Sequence, residues 1–123
     1  MGGPLVEQSL DFAVEMVHYC RWLQEQRREY VLSKQLLRSG TSVGANIHEA
    51  NFAISRADFV SKMQIALKEA HETQYWLTVM ERTGLLPDDY FFLKDRCQAL
   101  IKMLIATLNT SKKSMPQGQQ RQS

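Results

Sequence analysis

Histidine and glutamate side chains occur close together in the middle of the chain, and these are residue types that bind metal ions in helical bundles. His48 and Glu49 are adjacent, and Glu69 precedes His71 by two positions. The metal pattern of helix bundles requires Glu and His three residues apart, so that both face the interior. Neither pair has that spacing. The sequence therefore predicts no metal site and no cofactor.

Nucleophilic and acid–base catalysis also lack a recognisable arrangement. His18, His48 and His71 are separated, and none has an acidic partner together with a nucleophile at a known spacing. The GxSxG, P-loop and GxGxxG motifs are absent from the sequence. We therefore expect a non-enzymatic protein with no catalytic residues, in which the three histidines lie at the surface or at an interface.

A polar stripe is the better interpretation of the same region. Arg38, Ser42, Asn46 and Glu49 recur at i, i+4, i+8 and i+11, which places them along one side of a helix at about 100° per residue. Buried polar groups need partners, so we expect Arg38 to pair with a glutamate, for which Glu72 is the first choice, and Asn46 to bridge helices. The candidate polar-network or interface residues are Arg38, Ser42, Asn46, Glu49, Glu69 and Glu72.

Basic side chains offer one further kind of chemistry, which is contact with phosphate groups. The net charge is only +2, but positive residues cluster near the end of the first predicted helix and near the C-terminus. Such clusters bind phosphate, although a solvated surface is their commoner use. The candidate nucleic-acid-binding residues are Arg21, Arg27, Arg28, Lys112 and Lys113.

Four amphipathic helices must position these groups. Hydrophobic periodicity predicts helices over residues 5–27 and 30–53, a third from a Ser55 N-cap to residue 83, and a fourth over 88–110. Asp58 completes a capping box with Ser55, and Gly84 is the expected C-cap of the third helix. Short links between such helices predict an all-α, antiparallel, up-and-down four-helix bundle.

Apolar residues at 4-3-4-3 spacing identify the sides of the helices that should face the core. The first helix has two such stripes: we expect the first to be its core seam and the second to exceed the needs of a monomeric bundle, so that it is either deeply embedded or meets a neighbouring subunit. The first stripe is Val6, Leu10, Ala13, Val17 and Cys20, and the second is Leu5, Phe12, Met16, Tyr19 and Leu23. The other seams are Leu36, Gly40, Val43, Ile47 and Ala50; Phe59, Met63, Ala66, Ala70, Thr73, Leu77 and Met80; and Leu93, Cys97, Leu100, Leu104 and Leu108.

Length and composition set the domain organisation and the cellular environment. With 123 residues, of which 44% are hydrophobic, the chain should form one bundle domain over residues 1–110. Residues 111–123 are basic and rich in Gln, and we expect a disordered tail. Cys20 and Cys97 are isolated and should be buried free thiols. Because no signal peptide and no membrane span is visible, we expect a cytoplasmic protein that does not interact with membranes.

Two runs of residues together carry a family resemblance. They are RSxxSVxxNIxE, beginning at Arg38, and IALKEAxETxYWL, beginning at Ile65 and preceded by Phe59. Over roughly residues 8–110 the chain resembles the bacterial 23S ribosomal RNA intervening-sequence proteins, also called four-helix bundle proteins. The resemblance implies an antiparallel four-helix bundle that assembles into a ring-like homopentamer. It also implies a relation to the accessory proteins of diversity-generating retroelements, which contact a reverse transcriptase and nucleic acid.

The residues and the resemblance together lead to one functional expectation and one alternative. We expect a non-catalytic homo-oligomeric scaffold, pentameric by resemblance, that binds RNA, DNA or a nucleic-acid enzyme such as a reverse transcriptase. The second stripe of the first helix and the small residues of the second helix are the surfaces that an interface would use. The alternative is a protein-binding adaptor without affinity for nucleic acid.

Overall fold

The computed structural model describes residues 3–113, with side chains as far as residue 111. Helix α1 spans Pro4–Arg27, α2 Leu32–Ala50, α3 Arg56–Arg82 and α4 Phe92–Lys113, with a short 3-10 turn, Asp88–Tyr90, before α4. Helix α2 packs against α1 and α3, α3 packs against α4, and a smaller contact between α1 and α4 completes the bundle. The described residues contain no strand, and the predicted all-α four-helix bundle is confirmed.

The core consists of the apolar sides of all four helices. Every residue of the predicted α2 and α4 seams is buried. In α3 the prediction is correct except at its first position, since Phe59 is half-buried and its neighbour Val60 is buried instead. Cys20 and Cys97 are buried free thiols, as predicted, and burial raises the pKa of each to about 12.

Helix α1 buries its second apolar stripe, not the first stripe that we expected to face the core. Of the predicted core seam only Cys20 is buried, and Leu10 remains 57% exposed. The second stripe faces the interior instead, and its members are Leu5, Phe12, Met16, Tyr19 and Leu23. The physical reason is size: the buried stripe contains two aromatic rings and a methionine, and larger apolar side chains gain more free energy when they leave water.

Helix α2 is shorter than predicted at both ends. Arg28 ends α1 in the left-handed region with φ 53°, so the chain cannot enter the next helix directly. Glu29 then caps α2, because its Oε1 accepts the Ser33 N–H at 2.8 Å and its carbonyl accepts the Ser33 hydroxyl at 2.7 Å. At the other end, the Phe52 N–H donates to the Glu49 carbonyl, which tightens the last turn and stops the helix.

Helix α3 begins and ends with the predicted residues. The Ser55 Oγ accepts the Asp58 N–H at 3.0 Å, and the Asp58 carboxylate reaches back to the Ile54 N–H at 3.2 Å. At the C-terminus Gly84 adopts φ 75° and the Leu85 N–H donates to the Met80 carbonyl at 2.8 Å, which is a Schellman motif.

Helix α4 continues to Lys113, three residues into the segment predicted as a tail, and residues 114–123 lie outside the described part of the chain. Among the described helices, none is long and apolar enough to cross a membrane.

Candidate functional site

The α2–α3 seam contains the most developed polar cluster among the described side chains. The Arg38 guanidinium, on α2, donates from Nη1 to Glu69 Oε2 at 3.0 Å and from Nη2 to Glu72 Oε2. The Trp76 indole N–H donates to the same Glu72 oxygen at 3.1 Å. One arginine therefore ties two successive turns of α3 to α2, and the Arg38–Glu72 pair predicted from the sequence is present.

The protonation behaviour of this cluster follows from its hydrogen bonds. The Trp76 indole N–H, followed by the Arg38 guanidinium, holds the pKa of Glu72 below its usual range. The bond to Glu72 likewise raises the pKa of Arg38. Both effects favour the charged forms of Arg38 and Glu72.

The other residues of the predicted stripe do not join this cluster. Asn46 donates from Nδ2 to the Ser42 carbonyl of its own helix at 2.8 Å, so the bridge that we expected from Asn46 to another helix is absent. Glu49 lies 3.6 Å from the Lys62 ammonium on α3. The stripe thus runs along the seam with α3 within one chain, as two separate ion-pair groups.

Sequence reasoning missed one polar contact in the middle of this seam. The hydroxyls of Ser39 and Thr73 lie 3.0 Å apart, and the Thr73 hydroxyl is also 2.8 Å from the Glu69 carbonyl. Both side chains are buried, and a buried hydroxyl needs such a partner. The available signal was Thr73 within the predicted α3 seam, together with Ser39 directly beside Gly40 of the α2 seam.

A groove between α1 and α2 is the most apolar concave surface found in the described part of the chain. Its volume is about 270 Å³, and Leu10 and the nearby Val14 are 57% and 45% exposed. Small side chains form its floor, because Ala13, Gly44 and Ala45 offer little bulk. The lining residues are Val6, Ser9, Leu10, Ala13, Thr41, Gly44, Ala45 and His48.

A larger cleft of about 420 Å³ lies at the turn between α2 and α3, near the end of α4. Asn51 lines this cleft, and its Oδ1 is buried without a hydrogen-bond partner among the described residues. Arg56 is the one charged residue of the lining. In the part of the chain that the structure describes, no three His, Cys, Asp or Glu residues come together as a metal site requires.

The predicted nucleic-acid contacts do not form one cluster. Arg21, Arg27 and Arg28 are exposed at the C-terminal end of α1, where the Arg27 guanidinium lies 3.5 Å from the Gly84 carbonyl. Lys112 and Lys113 end α4, and their side chains lie outside the described residues. Helices α1 and α4 are antiparallel, because the Tyr19 hydroxyl, near the end of α1, donates to the Leu85 carbonyl just before α4. The two groups are therefore at opposite ends of the bundle.

Some aromatic residues pack together and others are exposed, and sequence reasoning missed one of the exposed residues, Tyr30. Trp22 packs near Tyr19 and Tyr90, with ring centroids 6.2 and 6.0 Å away. Tyr30 is 53% exposed in the link between α1 and α2. Its position between the basic residues Arg28 and Lys34 was the sequence feature that could have identified Tyr30 as a candidate functional residue.

These observations define a four-helix bundle with a polar α2–α3 seam and an exposed apolar α1–α2 groove. The family model for 23S rRNA-intervening sequence proteins matches residues 4–106, and the chain belongs to this family, which confirms the resemblance. A solved structure from Bacteroides thetaiotaomicron, described as a protein with unknown function from the S23 ribosomal protein family, is 45% identical, with a TM-score of 0.83. The match covers 85% of this chain and 98% of that chain. No protein of curated function matches the chain.

Proposed function

We propose that the protein is a non-catalytic homo-oligomeric scaffold, pentameric by family resemblance, that associates through the α1–α2 groove and presents basic side chains to nucleic acid. The partner class includes an enzyme that acts on nucleic acid, such as a reverse transcriptase. The exposed apolar groove is the observation that carries the proposal. No step of the proposed role requires a bond to be made or broken by this chain.

The groove supports self-association because it leaves apolar surface in water that a second copy would cover. Leu10 is 57% exposed, so covering it contributes about 1 kcal/mol per interface. The small residues Ala13, Gly44 and Ala45 lie between α1 and α2, and small residues allow a third helix to approach closely. The stripe of α1 that we propose for the interface is thus the first stripe, since the second is used in the core.

The basic side chains support the nucleic-acid part of the proposal. Arg38 is occupied by two glutamates, and it is not a candidate. Arg21 and Arg28, in contrast, are exposed and form no ion pair within the described residues. Unpaired arginines at one end of the molecule are available for the salt-dependent phosphate contacts of a nucleic-acid-binding protein.

The test of self-association is the native mass of the full chain by light scattering, with Leu10→Arg as the variant. We expect the wild type to be an oligomer and Leu10→Arg to be a monomer with unchanged helix content, because Leu10 is largely exposed in the single chain. Ile105→Arg is the matched control, since it charges an equally apolar, 41% exposed residue of α4 outside the groove. A monomeric wild type, or a Leu10→Arg variant of wild-type mass, would overturn the assignment.

The same samples test the second part of the proposal. Binding of structured RNA and duplex DNA should be measured at low and near-physiological salt, and the affinity should fall steeply as salt is added. An oligomer that binds neither at low salt would exclude nucleic acid as the ligand. That result would favour the alternative, a protein-binding adaptor.

A further inference from the structure

No aromatic neighbour among the described residues accounts for an aromatic side chain at position 30. Tyr30 lies in the short link between α1 and α2, its side chain is 53% exposed, and no other ring contacts it among the described residues. The adjacent Val31 is 72% exposed. A ring that is half exposed and has no aromatic neighbour offers a surface on which another planar group can stack.

Exposed basic residues lie on both sides of Tyr30 in the chain. Arg21 lies in α1, about 10 Å along the helix axis before Arg28, which ends α1 outside the helical backbone region. Arg28 precedes Tyr30 by two residues, and Lys34 follows in the first turn of α2; all three basic residues are exposed.

Acidic residues also occur at this end of the bundle. The Glu29 carboxylate is directed at α2, where it accepts the Ser33 N–H at 2.8 Å. Glu25 is exposed one turn before Arg28. Asp88 and Asp89 belong to the turn before α4, beside Tyr90. Arg28 and Lys34, which flank Tyr30 in the chain, are exposed and remain available for contact with a phosphate backbone.

Arg28 occupies a backbone conformation that favours a different residue. With φ 53° it is the one described residue other than glycine that has positive φ, and side chains with a Cβ are strained there. Glycine at this position would end α1 equally well and without strain. A strained residue with a charged, exposed side chain is an observation from which function can be inferred.

From the ring, the charges and the strained arginine, we infer that the Arg21–Arg28–Tyr30–Lys34 surface binds single-stranded nucleic acid, with an unpaired base stacked on Tyr30 and phosphates beside the basic residues. The inference rests on the nucleic-acid part of the proposed function and adds the strand form that is recognised. A single strand is required because the bases of a duplex are already stacked on each other and cannot lie on a protein ring.

The experiment measures the affinity of the full-length protein for a short oligothymidylate and for a hairpin duplex of equal phosphate number, at low salt. Tyr30→Ala should weaken single-strand binding about tenfold and leave duplex binding unchanged, whereas Tyr30→Phe should restore the wild-type affinity because it keeps the ring. Tyr75→Ala, which removes a 62% exposed tyrosine on α3, is the matched control and should have no effect.

Arg28→Gly separates loss of ligand contacts from loss of structure. It should raise the midpoint of denaturation, since it removes the strained φ, and weaken binding of both strand forms, since it removes a charge. Lower affinity in a more stable protein cannot arise from unfolding.

The outcomes distinguish this inference from the proposed function. If the wild type binds neither strand form, both fail together. If the wild type binds with the expected salt dependence but Tyr30→Ala has wild-type affinity, or loses affinity for duplex and single strand equally, only the stacking site is overturned.

Discussion

Gly40 and Gly44 of α2 determine how closely α1 can pack. A Cβ on Gly40 would lie 2.7 Å from Met16 Cγ, and a Cβ on Gly44 would lie 3.1 Å from the Ser9 carbonyl oxygen. Both distances are shorter than ordinary van der Waals contacts. Each glycine is destabilising within a helix by about 1 kcal/mol relative to alanine, and the close α1–α2 contact offsets that cost.

Whether a Gly40→Ala substitution lowers or raises the free energy of unfolding should depend on the side chain at position 16. In the wild type the added methyl group overlaps the fully buried Met16 side chain, and overpacking of about 1–3 kcal/mol exceeds the gain of about 1 kcal/mol in helix propensity. In a Met16→Ala background the methyl group has room, so the same substitution should stabilise. Denaturant unfolding of the four proteins of this double-mutant cycle measures both values. Equal effects in the two backgrounds would show that contact with Met16 is not the reason that glycine is required at position 40.

At the scale of the single residue, the sequence predicted which polar groups form contacts better than it predicted which helix each small residue faces. The Ser55 cap follows from spacing alone, because helix geometry determines the relative positions of Ser55 and Asp58. The Arg38–Glu72 pair lies between two helices and was predicted from the need of buried polar groups for partners. Gly40 was correctly assigned to the core-facing seam of α2, but the sequence did not show that Met16 of α1 is the residue it faces. A small residue signals close approach but does not say which helix approaches.

Among the helices, α2 and α3 are joined by charges as well as by the core. Arg38, Glu69 and Glu72 connect them near the middle of the seam, and Lys62 pairs with Glu49 further along. The Arg38 side chain is 48% exposed and that of Glu72 31% exposed, so solvent screens this interaction and its net contribution is at most about 1 kcal/mol. The pairs therefore fix the register of the two helices more than they stabilise the fold.

The Glu72 contacts should make part of the stability depend on acid pH. Because the pKa of Glu72 is lower in the folded state, its contribution is complete above the unfolded carboxyl pKa of about 4.3 and is lost as the pH falls through the lower folded value. Glu72→Gln should therefore flatten the stability profile between neutral pH and about pH 3. Trp76→Phe should flatten it in part, since the indole N–H is the largest cause of the shift. A Glu72→Gln profile parallel to that of the wild type would contradict this account.

The number and order of the helices could be predicted from the sequence, but the side of α1 that faces the core could not. Leu10 and Phe12 both belong to apolar stripes with helical spacing, and periodicity gives no ranking between two such stripes. The choice depends on how much volume the other three helices leave, which is a property of the assembled core. The second stripe of α1, which we expected to be available for an interface, is buried in the core for the same reason.

At the scale of the whole molecule, an oligomer would present several copies of a weak nucleic-acid-binding site in one assembly. Rotation about a single axis keeps equivalent points at equal height, so in any cyclic ring all copies of the Tyr30 link lie on one rim. Lys112 and Lys113, at the opposite end of the bundle, would lie at another height. One rim carrying several identical sites can hold a long strand at many points, while a short strand occupies one site.

Dissociation of the oligomer should therefore weaken the binding of long strands selectively. Leu10→Arg lies in the groove, far along α1 from Arg28, and we expect it to leave the affinity for a short single strand unchanged while reducing the affinity for a long one on the order of a hundredfold, because linked sites raise the effective concentration. Anisotropy titrations with the two strand lengths measure this ratio, with Ile105→Arg as the control that adds the same charge without dissociation. The substitution adds a positive charge, which by itself strengthens phosphate binding, so the expected loss opposes the electrostatic effect. Equal affinity changes for the two lengths would mean that the oligomer does not act as a multivalent scaffold.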